Sequence, residues 1–550
     1  MEQTNDQWLW FVDNELVEAL ARTDQLDAKS EKRPVQSTTL ANALALNMDG
    51  KTEQAVQLIR QAIDAGENMP ELLWTKAHLE FQLSHFEQAL ADYRKLLETQ
   101  PNHKAAAYNA ALCLERLKRY EEAVPAFRKA ADLDPKLGEA VIGIGVSHLH
   151  CNRPEPALAA FEEFLKTHPD HSAALYGKAI AMQLLGRNNE AMDLYLKLLP
   201  NNGSDAELLT NMIRLVLTRG EYDKVREYSE KLLRLRPNAQ AGLSGMVAAA
   251  LARNDYKSAG QFGAQLVKLA PASFEAWLNL GVAYQRTNRL EQAGQAYAEA
   301  LKLQPDSAVA YVNLGSALQE RGEQAEARKA YERAAQLEPE NAAALWNLAM
   351  ANDRLGNAAE TEKLIEKVVE IDPEREEAWF RLGYLRLARG DAAASVEPFR
   401  VSVSKRPDWL EALMNLGVAQ RKLGDLDAAK ATFSQAVGRH PQATDALRAL
   451  AAVAVDQGDV TTALDSEAKL EELGERVPEL SYNVGVLLQQ ANRAPEAERS
   501  YRRATEQNPQ FAEALLNLGH ALEAQGKGAE AKQCWQQAVE AKPELAEKYF

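Results

Sequence analysis

The chain has 550 residues, of which 46% are hydrophobic and 26% are charged, and its 63 basic and 79 acidic residues give a formal charge of −16. This balance is typical of a folded protein and excludes wholesale disorder or a collagen-like composition. The acidic excess lacks the basic footprint of a nucleic-acid binder, so we expect no nucleic-acid partner.

Cysteine content and hydropathy bear on the compartment. Cys113, Cys151 and Cys534 are too few and too far apart for a disulfide framework, which favours a reducing compartment. The N-terminus has an acid where a signal peptide has its basic region, and no apolar run approaches the ~20 residues of a membrane span. We therefore expect a cytoplasmic protein that does not span a membrane.

Residues 1–35 precede the regular part of the chain. A helix followed by a polar linker is predicted by apolar residues at helical spacing, namely Trp8, Phe11, Val12, Leu16, Ala19 and Leu20. One interpretation is a cap on the exposed face of the first repeat. The alternative is an anchor for a partner, because Trp8, Trp10 and Phe11 offer more aromatic area than one helix stripe can bury.

From residue 36 to residue 545 the sequence repeats every 34 residues without insertion or deletion. The register is marked by twelve prolines whose separations are all 34 or 68, namely Pro101, Pro135, Pro169, Pro237, Pro271, Pro305, Pro339, Pro373, Pro407, Pro441, Pro509 and Pro543. Glu67, Gly203 and Glu475 stand at the remaining marks. The pattern predicts fifteen units of 34 residues.

Each unit reads as two helices separated by a turn. Thirteen of the fifteen turns contain Gly or Asn, the residues that tolerate a left-handed conformation; the exceptions are Ser84 and Lys118. Small residues occupy one position in each helix, as Gly281 and Ala293 do, and an aromatic residue such as Tyr297 lies one turn beyond the second of them. We therefore expect two helices that cross closely, with a large side chain against a small one, and a proline that ends the pair.

This pattern resembles the tetratricopeptide repeat. The clearest unit runs from residue 274 to residue 307, and its matching positions are Trp277, Leu280, Gly281, Tyr284, Ala293, Tyr297, Ala300 and Pro305. The resemblance implies an all-α, right-handed α-solenoid, or superhelix, of antiparallel helix pairs. It also implies that the first helix of each pair lines a concave groove.

Two regions depart from the pattern. In units 206–239 and 240–273, Ile213 and Val247 replace the small residue of the first helix, and Ser229 and Gly263 replace the aromatic. Unit 444–477 has Glu467 in the aromatic position. These units are interpreted as local bends, and tolerated drift is the alternative.

Only residues 546–550 follow the last unit, a stub too short for a full capping helix. The open face of that unit is expected to be closed by the stub, by another copy of the chain or by a further domain.

The one cluster of metal-ligand residue types lies in a single unit. His148, His150 and Cys151 end its first helix, whereas His168 and His171 flank Pro169 at the far end of its second helix, ~20 Å away along the helix axis. This distance exceeds the reach of shared ligands. We expect no metal, cofactor or catalytic site, because no phosphate-binding loop or nucleophile elbow occurs either.

The sixth residue of each unit is expected to face the groove. It is asparagine in eight units, namely Asn109, Asn211, Asn279, Asn313, Asn347, Asn415, Asn483 and Asn517. An amide both donates and accepts hydrogen bonds, so it can pair with a peptide backbone of any sequence. The series resembles the inner asparagine ladder of O-linked N-acetylglucosamine transferases and other peptide-binding members. Consensus composition without a ligand is the alternative.

The fifth residue adds the aromatics Trp346, Phe380 and Tyr482, and the second residue is acidic in nine units. Together these positions predict a scaffold that binds an extended protein segment with apolar and basic side chains. Two alternatives stay open: a self-assembling structural protein, and the substrate-selecting arm of an enzyme whose catalytic domain lies elsewhere.

Overall fold

The computed structural model describes residues 38–67, 69–200 and 205–545, and in these ranges every regular element is an α-helix, thirty in all. The prediction of an all-α solenoid of helix-turn-helix repeats is confirmed. The segments predicted as cap or anchor (1–35) and C-terminal stub (546–550), and the loop at Gly203, lie outside the described residues.

The chain divides into two compact units, unit 1 (Met1–Ala272) and unit 2 (Ser273–Phe550). The described helices of unit 1 are α1 (Thr38–Met48), α2 (Thr52–Asp64), α3 (Pro70–Gln82), α4 (Phe86–Thr99), α5 (Lys104–Arg116), α6 (Tyr120–Leu133), α7 (Gly138–His150), α8 (Pro154–Leu165), α9 (Ser172–Leu184), α10 (Asn188–Leu198), α11 (Ala206–Thr218), α12 (Tyr222–Leu235), α13 (Gln240–Ala252) and α14 (Tyr256–Leu269).

Unit 2 continues the same alternation of first and second helices. Its helices are α15 (Phe274–Arg286), α16 (Leu290–Leu303), α17 (Ala308–Glu320), α18 (Gln324–Leu337), α19 (Ala342–Arg354), α20 (Ala358–Ile371), α21 (Glu376–Ala388), α22 (Ala392–Lys405), α23 (Leu410–Lys422), α24 (Leu426–Arg439), α25 (Thr444–Gln457), α26 (Val460–Glu472), α27 (Pro478–Gln490), α28 (Ala494–Gln507), α29 (Ala512–Glu523) and α30 (Gly528–Ala541).

The turn within each pair has the left-handed residue that the sequence predicts. Asn288 has φ 59°, and the amide of Arg289 donates to the Tyr284 carbonyl at 2.8 Å, which satisfies the end of α15. The two exceptional residues adopt the same conformation, with φ 62° at Ser84 and 59° at Lys118. The turn geometry is therefore kept even where the residue does not favour it.

The two helices of a pair cross at the paired small and aromatic positions. A Cβ on Gly281 would lie 2.4 Å from the Tyr297 ring, and a Cβ on Gly417 would lie 2.5 Å from the Phe433 ring. Both rings are almost completely buried. The glycines are therefore required by close approach, and they bring the first helix onto the ring of the second.

In unit 206–239 the large and small positions are exchanged. Ile213 on α11 and Ser229 on α12 are both buried, so the large side chain comes from the first helix and the small one from the second. Gly245 of the next repeat packs against them, because a Cβ there would lie 2.2 Å from the Ser229 Oγ. The predicted difference in packing is therefore a size exchange, and whether the array bends there stays a prediction.

The other irregular repeat has a carboxylate in the aromatic position. Glu467 is buried on α26, and its carboxylate lies 2.9 Å from the Arg503 guanidinium of the following repeat. Arg503 also reaches Glu471 at 3.2 Å. An ion pair between repeats replaces the ring, since a buried carboxylate requires a partner.

Candidate functional site

One face of each first helix points away from its own second helix. Gly281 on α15 contacts the second helix, and Asn279 precedes it by two residues, which is about 200° around a helix. We call the face formed by the second, fifth, sixth and ninth residues of each repeat the first-helix face. Because the first helices of the repeats at 274, 308 and 342 contact one another in series, their faces form a continuous surface.

Three consecutive repeats present half-buried asparagines on this face. Asn279, Asn313 and Asn347 are each partly exposed. Their side-chain amides make no hydrogen bond to any residue that the structure describes. A half-buried amide with unused donors and acceptors can accept and donate to an added backbone.

The remaining predicted asparagines are used differently. Asn415 donates to the Glu411 carbonyl of its own helix at 2.7 Å, and Asn517 donates to the Tyr482 hydroxyl at 3.3 Å. Asn483 is exposed, and within the described ranges its amide has no hydrogen-bond partner. The same residue occupies the same repeat position at all of these sites, but the side-chain amides of Asn415 and Asn517 already donate hydrogen bonds within the chain.

In unit 1 the asparagines at the sixth position of the repeat form hydrogen bonds within the chain. Asn211 is buried and donates to the Tyr176 hydroxyl at 2.7 Å, and Asn109 donates to the Tyr93 hydroxyl at 3.2 Å. Both bonds join one repeat to the next. They favour the consensus interpretation at these two positions.

The aromatic residues proposed as anchors are partly committed to packing. The Phe380 ring lies 4.5 Å from the Trp409 ring and 5.8 Å from the Phe399 ring, and the Tyr482 ring lies 5.1 Å from the Phe511 ring. Each of these ring pairs lies within one 34-residue repeat, and such pairs stabilise its packing. Only the partly exposed edges of these rings remain for a ligand.

Trp346 lies in the middle of the asparagine series. It is half-buried, packs against the core of repeats 308–375, and the Arg375 guanidinium lies 5.5 Å from its ring centre. A cation over one part of the ring orients it.

The structure adds two residues that sequence reasoning did not single out. Tyr384 and Val418, ninth residues of successive repeats, are 42% and 36% exposed. Arg381 pairs with Asp353 and lies 5.0 Å from the centre of the Tyr384 ring. Because Arg381 is itself paired, it holds the exposed Tyr384 ring in a fixed orientation in which a ligand can contact it. Both residues could have been found from the sequence, since the ninth residue of each repeat belongs to the first-helix face.

Hydrogen bonds between buried tyrosines of second helices and glutamines of first helices form a second polar feature. The hydroxyls of Tyr297 and Tyr501 donate to Gln285 and Gln489 at 2.9 and 2.8 Å. Gln285 in turn donates to Ser316 at 2.9 Å. These amides are fixed by the chain itself, so they define the shape of the face rather than an open binding position.

The acidic second residues are only partly available. Glu377, Asp445 and Glu513 form ion pairs with Arg406, Arg448 and Lys542 at 3.2, 3.1 and 2.8 Å respectively. The exposed acids at the second position for which the described part of the chain supplies no ion pair are Glu71 in unit 1 and Glu275, Glu411 and Glu479 in unit 2. The acidic character of the face is therefore weaker than the sequence pattern predicts.

The histidine-rich repeat has structural uses for its polar rings. His171 caps α9 by accepting from the Ala174 amide at 3.3 Å, and the His168 and His171 rings lie 4.5 and 5.0 Å from the Phe164 ring. The His150 ring stacks on Tyr120 at 4.1 Å. Among the described residues no group of three or more His, Cys, Asp or Glu side chains could hold a metal ion. None of the described helices is both long enough and apolar enough to cross a bilayer.

Models of tetratricopeptide repeat families together match most of the repeat region. A tetratricopeptide repeat model matches residues 75–137, 312–376, 414–478 and 482–546, and a second tetratricopeptide repeat model matches residues 273–337. The model of the N-terminal tetratricopeptide repeat region of Psidin matches residues 147–285. No curated protein matches the chain.

Several solved structures are similar in part. The MamA protein is 19% identical, with a TM-score of 0.29 over 31% of this chain and 92% of that one. YrrB, described as a tetratricopeptide repeat protein with an unusual peptide-binding site, is 18% identical, with a TM-score of 0.28 over 42% and 99%. The Cut9–Hcn1 hetero-tetramer of the APC/C is 16% identical, with a TM-score of 0.29 over 87% and 95%.

The chain belongs to the tetratricopeptide repeat family. Proteins built from these repeats are in general interaction scaffolds that bind other proteins, and the fold is typically non-catalytic.

Proposed function

We propose that this protein binds an extended segment of another protein along the first-helix face of residues 274–443. The observation that carries the proposal is the series Asn279, Asn313 and Asn347, three half-buried amides on consecutive repeats without hydrogen-bond partners among the described residues. Their spacing follows the repeat, so an extended backbone can meet each amide in turn.

The surroundings of the asparagines favour apolar and basic side chains in the partner. Tyr384 and Val418 offer exposed apolar area beside Trp346 and the edge of Phe380. Glu275 and Glu411 are exposed acids for which the described residues supply no ion pair. A segment with apolar residues flanked by Lys or Arg fits this combination best.

The test is to capture partners with the full chain, map the bound segment by cross-linking, and measure its affinity for variants. Substitution of Asn279, Asn313 and Asn347 by Ala removes three amide pairs, each contributing ~0.5–1.5 kcal/mol, so we expect the Kd to rise roughly 10- to 1000-fold. Asn415→Ala should have a smaller effect, because its amide already donates to Glu411.

The matched control replaces three exposed amides of second helices, Gln295, Gln336 and Gln435, by Ala. This variant should bind as the native chain does. Equal affinity of both triple variants for every captured segment would remove the assignment of the site. A mass that increases with concentration in light scattering, together with no captured segment, would instead favour the self-assembling structural protein.

A further inference from the structure

The spacing of the asparagine series limits what can lie along it. The helices α15 and α17, and likewise α17 and α19, approach each other to Cα–Cα distances of 8 Å or less. Helix axes in such contacts are ~8–10 Å apart, so equivalent residues of consecutive repeats are separated by about 10 Å. An occupant that pairs with Asn279, Asn313 and Asn347 in turn must therefore present equivalent backbone groups about every 10 Å.

Side-chain contacts between first helices maintain this spacing. Gln285 on α15 donates to Ser316 on α17 at 2.9 Å, and Arg381 on α21 pairs with Asp353 on α19. These contacts hold consecutive first helices side by side at both ends of the asparagine series. The spacing is therefore a property of this part of the array and not of a single junction.

Regular backbone conformations differ in how they match this spacing. A β-strand rises about 3.3 Å per residue with period two, so its third residue, at about 10 Å, points away from the face. An α-helix can repeat a face after about 10 Å, but its N–H and C=O groups bond within the helix. A polyproline II helix has three residues per turn, a rise of about 3.1 Å and no internal hydrogen bonds. Every third residue then returns to the same face after about 9 Å, with its backbone groups available.

The aromatic side chains beside the asparagines fit the same conformation. Trp346 is half-buried, and its indole N–H has no acceptor among the described residues. The Tyr384 ring is 42% exposed. Aromatic-lined grooves are the surfaces on which proline-rich segments dock in the polyproline II conformation. An indole N–H in such a groove can donate to a carbonyl of the segment, which in this conformation has no partner of its own.

We propose that the first-helix face of residues 274–443 binds a proline-rich segment in the polyproline II conformation, with every third residue pairing with one asparagine. This inference rests on the proposed function and names the class of partner. Glu275 and Glu411, for which the described residues supply no ion pair, are separated by four repeats, or about 40 Å. Two basic residues about 13 positions apart, one at each end of the proline-rich part, meet both carboxylates.

Two synthetic peptides test the conformation of the occupant. The probe has four Pro-Pro-Ala triplets between two terminal lysines, and the matched peptide has four Gly-Ser-Ala triplets between the same lysines. Both carry fluorescein, and binding to the full chain is followed by anisotropy. We expect the proline peptide to bind at least about tenfold more tightly, because its backbone already has the bound conformation. Substitution of Asn279, Asn313 and Asn347 by Ala should weaken its binding at least about tenfold.

Control variants separate the face from the rest of the surface. Replacing Gln295, Gln336 and Gln435 on second helices by Ala should leave the affinity for the proline peptide unchanged. Tyr384→Ala should weaken that affinity by about three- to tenfold, whereas Tyr222→Ala, which removes a similarly exposed ring from a second helix, should not. Circular dichroism shows that each variant is folded.

Equal affinity for the two peptides would overturn the inference, as would binding of the proline peptide that survives the asparagine substitutions. Tighter binding of an alanine-rich helical peptide with the same terminal lysines would identify a helix as the occupant and would also overturn it. The proposed function stands in each of these cases if a captured protein segment still depends on the three asparagines, so the two failures are distinguishable.

Discussion

At the scale of single residues, the structure separates positions that the repeat pattern treats alike. Asn279 and Asn517 occupy the same position of the repeat, but the amide of Asn517 is held by Tyr482. Whether a tyrosine of the preceding repeat points at an asparagine depends on side-chain geometry between repeats. A one-dimensional pattern cannot predict this, so it identified the candidate positions without showing which amides are used.

The contact of Gly281 with a buried ring gives a test of the packing. Gly281→Ala places a methyl group 2.4 Å from the Tyr297 ring, which is fully buried, and we expect a loss of about 1–3 kcal/mol in local stability. Native-state hydrogen exchange of α15 and α16 measures it.

Gly294 in the same repeat is the matched control. It lies inside α16, and the nearest atom to an added Cβ is 3.7 Å away on the flexible Arg321 side chain. Gly294→Ala should therefore stabilise α16 by up to about 1 kcal/mol, through helix propensity. Equal exchange in the two variants would show that the close approach at Gly281 is absent.

The pH dependence of one helix cap follows from its partners. Asp459 caps α26 by accepting from the Thr462 amide, and it pairs with Lys430 at 2.5 Å. The hydrogen bond from Lys430, and then those from Thr462, lower the pKa of Asp459 to about 2. Because an unfolded aspartate has a pKa of ~3.9, the ionised form adds stability above about pH 4 and loses it as the pH falls towards 2.

We therefore expect Asp459→Asn to lower the free energy of unfolding by roughly 0.5–1 kcal/mol at pH 7 and by progressively less between about pH 5 and pH 3. Urea unfolding at several pH values measures the difference from the native chain. Asp465→Asn, on the exposed side of α26, is the control. A difference for Asp459→Asn that stays constant over this pH range would contradict the assigned partners.

At the scale of the element, the helix pair was predictable because each of its parts has a local cause. Gly or Asn ends the first helix, a small residue allows the close crossing, and a proline ends the second helix. The size exchange between Ile213 and Ser229 was not predictable as such, since the sequence showed two departures without showing that they compensate. The two exceptional turns show that packing of the pair overrides residue preference.

Lys118 is a non-glycine residue with φ 59°, so its conformation carries a steric cost that glycine does not pay. Lys118→Gly should stabilise the pair α5 and α6 by about 0.5–1 kcal/mol, measured by hydrogen exchange of these helices. The control, Lys129→Gly inside α6, should destabilise by a similar amount. If Lys118→Gly destabilised the pair, the turn geometry described for it would be incorrect.

At the scale of the whole molecule, the sequence identified the repeat architecture because a register kept over 510 residues leaves few alternatives. It did not indicate that Leu112, Val146 and Ile180 are buried whereas none of the ninth residues of unit 2 is, since the exposure of a repeat position depends on its three-dimensional surroundings. The positions of the asparagine series were thus predictable, but the exposure of each repeat position was not.

The central claim is that a partner segment lies on the first-helix face of unit 2. The most direct measurement is photo-cross-linking from a benzophenone amino acid placed at Tyr384, compared with the same probe at Tyr222, which is similarly exposed at 40% but begins a second helix. We expect Tyr384 to yield cross-links to one contiguous segment of a partner, and Tyr222 to yield none to that segment. Cross-links to the segment from Tyr222 alone, or equally from both sites, would contradict the claim.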